Sequence, residues 1–509
     1  MNSGSFLTPS RGLSFRALAP SAMALVLCAL ALVLHGCNTM QGLGQDLGVS
    51  GTRSGTTPTS SPSSSPTSPA KPTTPEIGRV ILPGIAGEPQ IRVRIEAGQT
   101  NIRMASSAGA TGVLWVQTTS NQRMATATAS RPPARMAPPV TARLTSAGWE
   151  LRDASGLVGR FERAGSIRIA ADERSLRAAQ AGSTTAAPGT PPAAPTPDVI
   201  VNGTRYPGVI ELSIRSDLPA GSFDVIEHVG IEDYLRGVVS AEMFRTWPLA
   251  AFQAQAVAAR SYAIHEINRA RSIGQAFDVE RGVRDQAYNG TNDWPVATRA
   301  VAETRGVVLT WQSQVLRSYY HSTSGGRAAS ARDTWPTVRG FEYNLAGPIQ
   351  ASSREELGQS SPWFRWTVQR TRQEVSQRLR IWGQQNGHAV KTITSLRSAR
   401  VAATNDTGRP TRYLLTATTG ENFSIAAEEL RRALNQDVPG VANVTRENRV
   451  NSGDMDITFV GDVATIRGRG FGHGVGMCQW SAKEMAERGA DFRTILTRFY
   501  PGARVDRAY

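Results

Sequence analysis

Cysteine is scarce in this sequence, with only three in 509 residues. Cys28 and Cys37 lie in an apolar stretch near the start, so Cys478 has no partner in the rest of the chain for an internal disulfide. A Cys-x-x-Cys pair is also absent, which excludes a thiolate zinc knuckle. The fold therefore does not depend on a disulfide framework, and we predict neither a bound metal nor another cofactor.

Lysine is also rare, because only three of the 56 basic residues are lysines. The basic residues exceed the 41 acidic ones and give a net charge of +15, which admits a polyanionic neighbour such as an envelope polymer, anionic lipid or nucleic acid. The arginines are spread along the chain and do not cluster with aromatic residues. We therefore interpret the excess as compositional bias and predict no nucleic-acid partner.

Residues 1–37 have the layout of an export signal. Arg11 and Arg16 give a basic start, and residues 22–34 are apolar but too short to span a bilayer comfortably. Gly36-Cys37 follows, and the segment resembles a bacterial lipoprotein signal in which Cys37 becomes the acylated first residue. An ordinary secretory signal and an uncleaved anchor are the alternatives. We expect an exported, membrane-anchored lipoprotein that faces the periplasm or the cell wall.

Shifts in composition divide the remaining chain. Hydrophobic residues make up 40% of it, which is enough for a sizeable core, and no repeat occurs at solenoid periods. Short strands are predicted at residues 92–95, 113–117 and 166–170 from their alternation and β-branched content. We predict an α+β protein with these segments: the signal (1–37), a Ser/Thr/Pro-rich disordered tether (38–76), a small β module (77–180), a low-complexity linker (181–197) and a large mixed domain (198–509).

A predicted helix over residues 231–242 places a carboxyl group on an apolar face. Ile231, Leu235, Val238 and Glu242 follow the spacing i, i+4, i+7, i+11 and so share one side of the helix. A carboxyl group held against apolar surface has its charged form disfavoured, so we expect a raised pKa for Glu242. A general acid that works near neutral pH requires such a pKa.

The next predicted helix carries a charge of the opposite sign on its buried face. Thr246 is a candidate cap, Pro248 sits in the first turn, and Arg260 falls on the apolar stripe. The other members of that stripe are Leu249, Phe252, Ala256, Ala259, Ala263 and Ile267. The helical pattern alone leaves two readings open, a structural buried ion pair and a functional site.

Two glycine-containing loops form further candidate sites. An apolar, strand-like run ends in His-Ser-Thr-Ser-Gly-Gly at residues 321–326, and such a loop lets a ligand approach the backbone. Five glycines alternate through residues 468–476, between a predicted strand and a helix that begins at Gln479. The first loop has no serine-hydrolase motif, and His321 taken alone is more typical of a hydrogen-bonded structural histidine than of a catalyst. The second loop matches no phosphate-binding motif, so close contact with another strand or with substrate is the favoured explanation for its glycines. A thiol protease pair of Cys478 and His473 is disfavoured because no orienting Asn or Asp is evident.

Together and in this order, the motifs resemble the stage II sporulation protein D (SpoIID)/LytB family of peptidoglycan enzymes. The resemblance covers most of residues 199–509 and implies a SpoIID-like catalytic domain at 198–509. The matching segments are residues 231–243, 247–248, 253–263, 321–326, 468–480, 495–496 and 499–503.

The resemblance implies lytic transglycosylase activity on peptidoglycan glycan strands, usually strands already stripped of their stem peptides. Glu242 matches the catalytic acid of the family, and Arg260 matches a basic residue linked to activity. The loop residues that would position the substrate are His321, Ser322, Gly325, Gly326, His473 and Gln479. The implied partners are glycan strands and a cell-wall amidase.

The chain departs from the family pattern at three places. Phe244 follows Glu-Met where proline is usual, which affects the local loop shape. Some members have a Cys/His zinc cluster after the long helix, but residues 278–288 contain neither residue type, so we predict no structural zinc. Cys478 replaces a common serine and is interpreted as a packing variant.

Two other functions compete with this interpretation. The LytB branch permits a non-catalytic cell-wall-binding module that stimulates or recruits an N-acetylmuramoyl-L-alanine amidase, although the retained Glu242 and Arg260 favour an enzyme. A metal-dependent hydrolase that uses His321 and His473 lacks any paired ligand spacing.

Overall fold

The computed structural model describes residues 77–82, 85, 87–119, 133–163, 165–180, 197–282, 284–292, 294–351 and 356–509. The predicted signal with Cys37, the predicted tether and residues 181–196 of the predicted linker lie outside these ranges. Within the ranges, no helix combines the length and the apolar character needed to cross a bilayer. Helices and strands are both abundant, which confirms the predicted α+β class.

Most of the strands precede residue 231. Their bounds are β1 (Gly78–Arg79), β2 (Gln90–Gln99), β3 (Asn101–Ser106), β4 (Leu114–Thr119), β5 (Ala134–Met136), β6 (Val140–Thr145), β7 (Gly148–Arg152), β8 (Val158–Phe161), β9 (Ser166–Ala170), β10 (Val199–Val201), β11 (Thr204–Tyr206), β12 (Val209–Ser213) and β13 (Phe223–Gly230), with helix α1 (Glu173–Gln180) between β9 and β10.

Helices and strands alternate in the rest of the chain. Their bounds are α2 (Ile231–Glu242), α3 (Leu249–Ser272), β14 (Val279–Glu280), α4 (Pro295–Glu303), β15 (Val307–Trp311), β16 (Gln314–Val315), β17 (Tyr320–His321), α5 (Ala331–Thr334), β18 (Arg365–Thr371), α6 (Arg372–Asn386), β19 (Leu396–Thr404), β20 (Pro410–Ala417), β21 (Asn422–Ala426), α7 (Ala427–Leu434), β22 (Met455–Val460), β23 (Val463–Arg469), β24 (Met477–Cys478), α8 (Gln479–Glu487), α9 (Phe492–Phe499) and β25 (Arg504–Arg507).

Strands from both sides of the predicted linker share two sheets. One sheet has the order β14-β2-β13-β12-β9-β4-β5 and the other β11-β10-β3-β6-β7-β8. The predicted strands at 92–95, 113–117 and 166–170 are confirmed within β2, β4 and β9. However, β9 pairs with β12 and β3 pairs with β10, so the predicted β module does not form sheets of its own. The strands of residues 77–180 are completed by strands of residues 198–230.

The two sheets and helices α2 and α3 enclose the largest hydrophobic core. Alternate residues of β2 point inward, and Ile91, Val93 and Ile95 are buried there. Helix α3 begins without a side-chain cap because Pro248 itself occupies the N-cap position, so the predicted capping by Thr246 is wrong. Its predicted apolar stripe is confirmed, since Phe252 and the residues that follow it at helical spacing are fully buried.

A second core lies between the two glycine-containing loops in the sequence. Strands β18–β23 with helices α6 and α7 enclose it, and its buried side chains include Val375, Leu379 and Tyr413. Its strands form two small sheets, β18-β23-β22 and β19-β20-β21. We call this part, residues 365–469, the inserted domain.

The two loops meet at a short parallel strand pair. Tyr320 and His321 in β17 pair with Met477 and Cys478 in β24. A side chain at Gly476 would clash with the carbonyl oxygen of Tyr319, and Gly470 adopts a positive φ of 78° against Ser324. The predicted reason for these glycines, close contact with another strand, is confirmed at both positions.

Candidate active site

The carboxyl group of Glu242 lies at the junction of α2 with both motif loops. Glu242 is the last residue of α2, and its apolar companions Ile231, Leu235 and Val238 are fully buried on the same face. The carboxylate oxygen Oε1 accepts a hydrogen bond from the backbone N–H of Ala287 at 2.9 Å. The side chain is partly buried, as the helical spacing predicts.

Burial raises the pKa of Glu242 above the ordinary value for a glutamate. The backbone N–H of Ala287, the amide of Gln479 and the hydroxyl of Tyr320 oppose this rise because each favours the charged form. All three opposing groups are neutral, and no cation in the described part of the chain contributes to the shift. The predicted direction of the pKa shift is therefore present.

A directed chain of hydrogen bonds reaches Glu242 from the core. The hydroxyl of Tyr234 donates to Oε1 of Gln286 at 3.1 Å, and Nε2 of Gln286 donates to the hydroxyl oxygen of Tyr320 at 3.1 Å. The Tyr320 hydroxyl then donates to Oε1 of Glu242 at 3.5 Å. An amide nitrogen can only donate, so Gln286 leaves the Tyr320 proton free to point at Glu242. Sequence reasoning missed Gln286 and Tyr320 because neither has a charge or spacing that marks it.

Arg260 does not contact Glu242 in the structure. Its guanidinium is fully buried and makes two hydrogen bonds to the carboxylate of Glu232, at 3.0 and 2.7 Å. Glu232 lies in the first turn of α2 and Glu242 ends it, so about 15 Å of helix separates the two carboxylates. Of the two readings of Arg260 that the helical pattern left open, the geometry favours the buried ion pair, although its partner is Glu232.

The Glu232–Arg260 pair joins several elements of the fold. Arg260 also donates to the carbonyl of Val307 at 3.1 Å, and Glu232 accepts from the hydroxyl of Tyr509 at 2.6 Å. Burial acts to raise the pKa of Glu232, but Arg260 outweighs it and the net pKa is lowered. This network fixes α2 and α3 to β15 and the C-terminal residues, and so holds the helix that presents Glu242.

Replacing Arg260 with methionine should therefore damage stability. The Arg260→Met variant leaves a buried, unpaired carboxylate, and we expect it to lower the free energy of unfolding by about 3–5 kcal/mol at pH 7. The lowered pKa of Glu232 means that the pair stabilises above the unfolded-state pKa, so the loss should shrink as the pH falls. Urea unfolding at pH 7 and pH 4 measures both effects.

Arg236→Met is the matched control, since Arg236 pairs with Asp233 on the exposed side of the same helix. It should change the free energy of unfolding by at most about 1 kcal/mol. A fully stable Arg260→Met variant would contradict the structural role.

The loop at residues 321–326 approaches Glu242 through its backbone. Successive strand residues point to opposite faces, so Tyr320 points to Glu242 and His321 points away from it. His321 is 5% exposed and its Nδ1 lies 3.0 Å from the carbonyl of Val475. Burial, with His473 nearby, holds the pKa of His321 well below its usual range, so the ring is neutral at neutral pH.

The remaining predicted loop residues lie on both sides of the strand pair. The carbonyl of Ser322 accepts from the N–H of Trp480 at 3.1 Å, which ties this loop to the first turn of α8. Gly325 and Gly326 both have positive φ angles, and Gly325 packs against the backbone of Gly470. Ser322 therefore lies beside α8, and the two glycines lie where the two loops cross.

His473 lies beside His321, with 5.6 Å between the ring centroids. Its Nδ1 accepts from the N–H of Val475 at 3.1 Å, and burial together with Arg431 and Arg409 lowers its pKa to about 3. Two histidines without a third ligand do not make a metal centre, and no cluster of three ligating side chains occurs in the part of the chain that the structure describes.

Gln479 and Cys478 begin α8 next to Glu242. Nε2 of Gln479 donates to the backbone carbonyl of Glu242 at 3.4 Å and to Oε1 of Gln255 at 3.3 Å. Cys478 is 1% exposed, and its Sγ accepts from the N–H of Ser481 at 3.4 Å, so it caps the helix. These contacts match the interpretation of Cys478 as a packing residue.

Three aromatic rings form a cluster near the C-terminal end of α2, which carries Glu242. Phe244, Trp247 and Trp480 pack together, with centroid distances of 5.1–5.8 Å. Phe244 and Trp480 are only partly buried, so part of this cluster reaches solvent. Phe244, which replaces the expected proline, thus contributes an apolar surface beside the acid.

Ion pairs and hydrogen bonds hold the segment after α3 against the site. Arg92 binds Asp278 at 2.6 Å, and the hydroxyl of Tyr262 donates to Asp285 at 2.9 Å. The next residues, Gln286 and Ala287, are the ones that contact Tyr320 and Glu242. Contacts from the β-sheet and α3 therefore position residues 278–288, the segment that contains no Cys or His for a zinc site.

Comparisons with known proteins match two parts of the chain. The family model described as SpoIID, stage II sporulation protein, matches residues 220–311, which include α2 and α3. A second model, a domain of unknown function (DUF8618), matches residues 346–476, which contain the inserted domain.

Three relatives align with about 300 residues each. An uncharacterized protein of Brachyspira hyodysenteriae is 29% identical over 60% of this chain and 73% of its own length. Stage II sporulation protein D of Bacillus subtilis is 26% identical over 56% of this chain and 76% of its own length. The amidase enhancer of the same organism is 25% identical over 53% of this chain, but the match spans only 39% of that protein.

Proposed function

Because the chain belongs to the SpoIID/LytB family, we propose that it is a peptidoglycan lytic transglycosylase with Glu242 as its general acid and base. The observation that carries this proposal is one carboxyl group with a burial-raised pKa, at the point where α2, both motif loops and a partly exposed aromatic cluster meet. The substrate would be the bond between MurNAc and GlcNAc in glycan strands, and the protein would act in the cell wall.

The reaction needs one proton to leave the carboxyl group and one to return. Oε1 of Glu242 already accepts from Ala287 and Tyr320, so the proton of the neutral acid belongs on Oε2. Glu242 donates this proton to the glycosidic oxygen, and the bond from that oxygen to the muramoyl C1 breaks. The muramoyl C6 hydroxyl then attacks C1 and gives its proton to the carboxylate, which closes a 1,6-anhydro ring and restores the acid.

A single carboxyl group suffices for this sequence of steps. Ordinary glycosidases use two carboxyl groups because a water molecule or an enzyme nucleophile must also be handled. Here the attacking hydroxyl belongs to the substrate, and no second carboxylate contributes to the pKa of Glu242. The hydrogen bonds from Ala287 and Tyr320 stabilise the carboxylate between the two proton transfers.

The other candidate residues take supporting roles in this proposal. Ser322 lies beside the first turn of α8 and Gln479 lies beside Glu242, and both would contact the sugars. His321, Gly325, Gly326 and His473 would position the substrate indirectly, by fixing the crossing of the two loops. We also propose export and attachment to the membrane through a lipid on Cys37.

A second candidate function is supported by the similarity to the amidase enhancer. The protein would then bind cell wall and stimulate an N-acetylmuramoyl-L-alanine amidase without cleaving glycan.

Replacing the acid separates the two candidate functions. Glu242→Gln should lower the release of anhydro-ended fragments from amidase-treated glycan by about 100- to 10,000-fold, the usual contribution of general acid–base catalysis. Mass spectrometry of the released fragments measures this loss. Glu303→Gln, which changes an acid on the exposed side of α4, is the matched control and should leave the yield unchanged.

Equal yields from Glu242→Gln and the unmodified protein would remove Glu242 as the acid. If neither protein cleaves glycan but both stimulate a cell-wall amidase, the second candidate function is correct.

Replacing Tyr320 tests the support of the carboxylate. Tyr320→Phe removes a donor that favours the charged form, so the pKa of Glu242 should rise further. The acid must be protonated to act, so activity is present below this pKa and lost above it. The alkaline limb of the kcat/KM profile should therefore move to higher pH.

Tyr343→Phe removes a hydroxyl bound to Arg317 instead and should leave the limb in place. An unchanged or acid-shifted limb in Tyr320→Phe would contradict the role of the hydroxyl.

A further inference from the structure

The sheet β18-β23-β22 of the inserted domain has one face packed and one face open. Alternate residues along its strands are buried in the second core, and the others point away from it. The outward residues are Arg365, Thr367, Gln369 and Thr371 on β18, Val463, Thr465, Arg467 and Arg469 on β23, and Asp456, Thr458 and Val460 on β22. This surface, which we call the open face, is polar except for the two valines at one end, and its residues are exposed or partly exposed to solvent.

Positive charge is concentrated at one end of the open face. Arg365 and Arg469 are direct cross-strand partners, and Arg467 lies two residues further along the same side of β23. Asp456 is opposite Arg467, yet none of the three arginines forms an ion pair with a carboxylate of the described residues. Like charges directly opposite each other destabilise a sheet, so the Arg365–Arg469 pair has a cost in the unbound protein.

Aromatic rings and two more arginines border the charged end. Trp363 and Phe471 lie 6.0 Å apart, and both are only partly buried. The guanidinium of Arg446 lies 5.6 Å from the ring of Trp363, and that of Arg449 lies 5.9 Å from the ring of Phe471. The sequence shows no such cluster, because these residues come together only when β18 and β23 pair.

The charged end adjoins the loop that reaches Glu242. Nη1 of Arg365 donates to the carbonyl of Gly325 at 2.9 Å, and Phe471 pairs with Thr323. Gly325 is five positions after Tyr320, which contacts Glu242, so this stretch spans at most about 18 Å. One continuous loop thus links the proposed acid to the open face, over a length of a few sugar units.

Removal of stem peptides changes the charge of the proposed substrate. Each stem peptide is joined by an amide bond to the lactyl group of a muramoyl sugar, and hydrolysis of that amide leaves a free carboxylate. A stripped strand therefore carries a regular row of anionic groups along neutral sugars. The charged end, where Arg467 and Arg469 form no ion pair with a described carboxylate, and the aromatic rings at its border match this combination of charge and apolar sugar faces.

We propose that the open face binds peptide-free glycan strands through the lactyl carboxylates of their muramoyl sugars, with Arg467 and Arg469 as the recognising residues. This inference rests on the proposed function and assigns a role to the inserted domain. The face would hold the strand beyond the cleavage point and would favour strands on which an amidase has already acted.

The test measures binding in the full chain carrying Glu242→Gln, so that strands remain uncut. The double variant R467Q/R469Q removes two charges from the open face and leaves Arg365, which contacts Gly325, in place. The matched control R397Q/R400Q removes two exposed charges from β19 of the same domain and gives the same net charge. The probes are stripped strands, the same strands with their carboxylates converted to amides, and poly-L-glutamate as a competitor.

Stripped strands should bind R467Q/R469Q about 3- to 30-fold more weakly than the parent, and the salt dependence of binding should decrease. The control should bind like the parent, and amidated strands should bind the parent as weakly as stripped strands bind the double variant. Equal binding of stripped and amidated strands would overturn the proposal, and so would equal weakening by the control. Competition by poly-L-glutamate as strong per carboxylate as that by glycan would also overturn it, since it would show a general affinity for polyanions.

Binding does not require cleavage, so this result is separate from the proposed chemistry. Glu242→Gln and the unmodified protein could both lack activity while stripped strands still bind through Arg467 and Arg469. The proposed transglycosylase function would then be wrong, and the proposed binding of glycan by the open face would be supported.

Discussion

The site depends on the burial of one carboxyl group without a counter-charge. Helix α2 carries a buried glutamate and a partly buried one, and their pKa values move in opposite directions. Glu232 has Arg260 against it, which outweighs burial and lowers its pKa, whereas Glu242 meets only neutral donors and has a raised pKa. The same helix therefore holds one carboxylate suited to structure and one carboxyl group suited to proton transfer.

The rest of the fold serves to keep Glu242 in that environment. The Glu232–Arg260 pair fixes the far end of α2, so the helix cannot turn Glu242 toward bulk solvent without breaking a buried network. Glycines at the loop crossing allow β17 and β24 to approach, and this approach brings Tyr320 and Gln479 to the acid. Close backbone packing and a distant ion pair thus both contribute to the chemistry of one side chain.

Strand alternation together with helical spacing was sufficient to predict the α+β class, and helical spacing alone predicted the buried face of α2 and the raised pKa of Glu242. It could not identify the partner of Arg260, because the apolar stripe of α2 contains Glu242 and not Glu232, and only packing against β15 brings Glu232 to the guanidinium. The hydrogen-bond chain through Gln286 was also out of reach, since its members come from three separate segments. The shared sheets escaped prediction for a similar reason, because strand pairing across residues 181–197 leaves no local signal.

The charged surface of the inserted domain also depends on strand pairing that the sequence does not show. Its arginines are spread along the sequence, and pairing of β18 with β23 places them side by side next to aromatic rings. Net charge alone therefore said little about partners, whereas the distribution of charge on one sheet suggests a specific ligand.

The pKa of Glu242 itself shows whether burial without a counter-charge controls this carboxyl group. Titration of ¹³C-labelled glutamate carboxyl groups by NMR, with Glu242→Gln to assign the signal, gives this value in the folded protein. We expect a midpoint clearly above that of an ordinary glutamate, with Glu232 titrating below it in the same sample. A Glu242 midpoint at or below the ordinary value would show that burial does not control this carboxyl group.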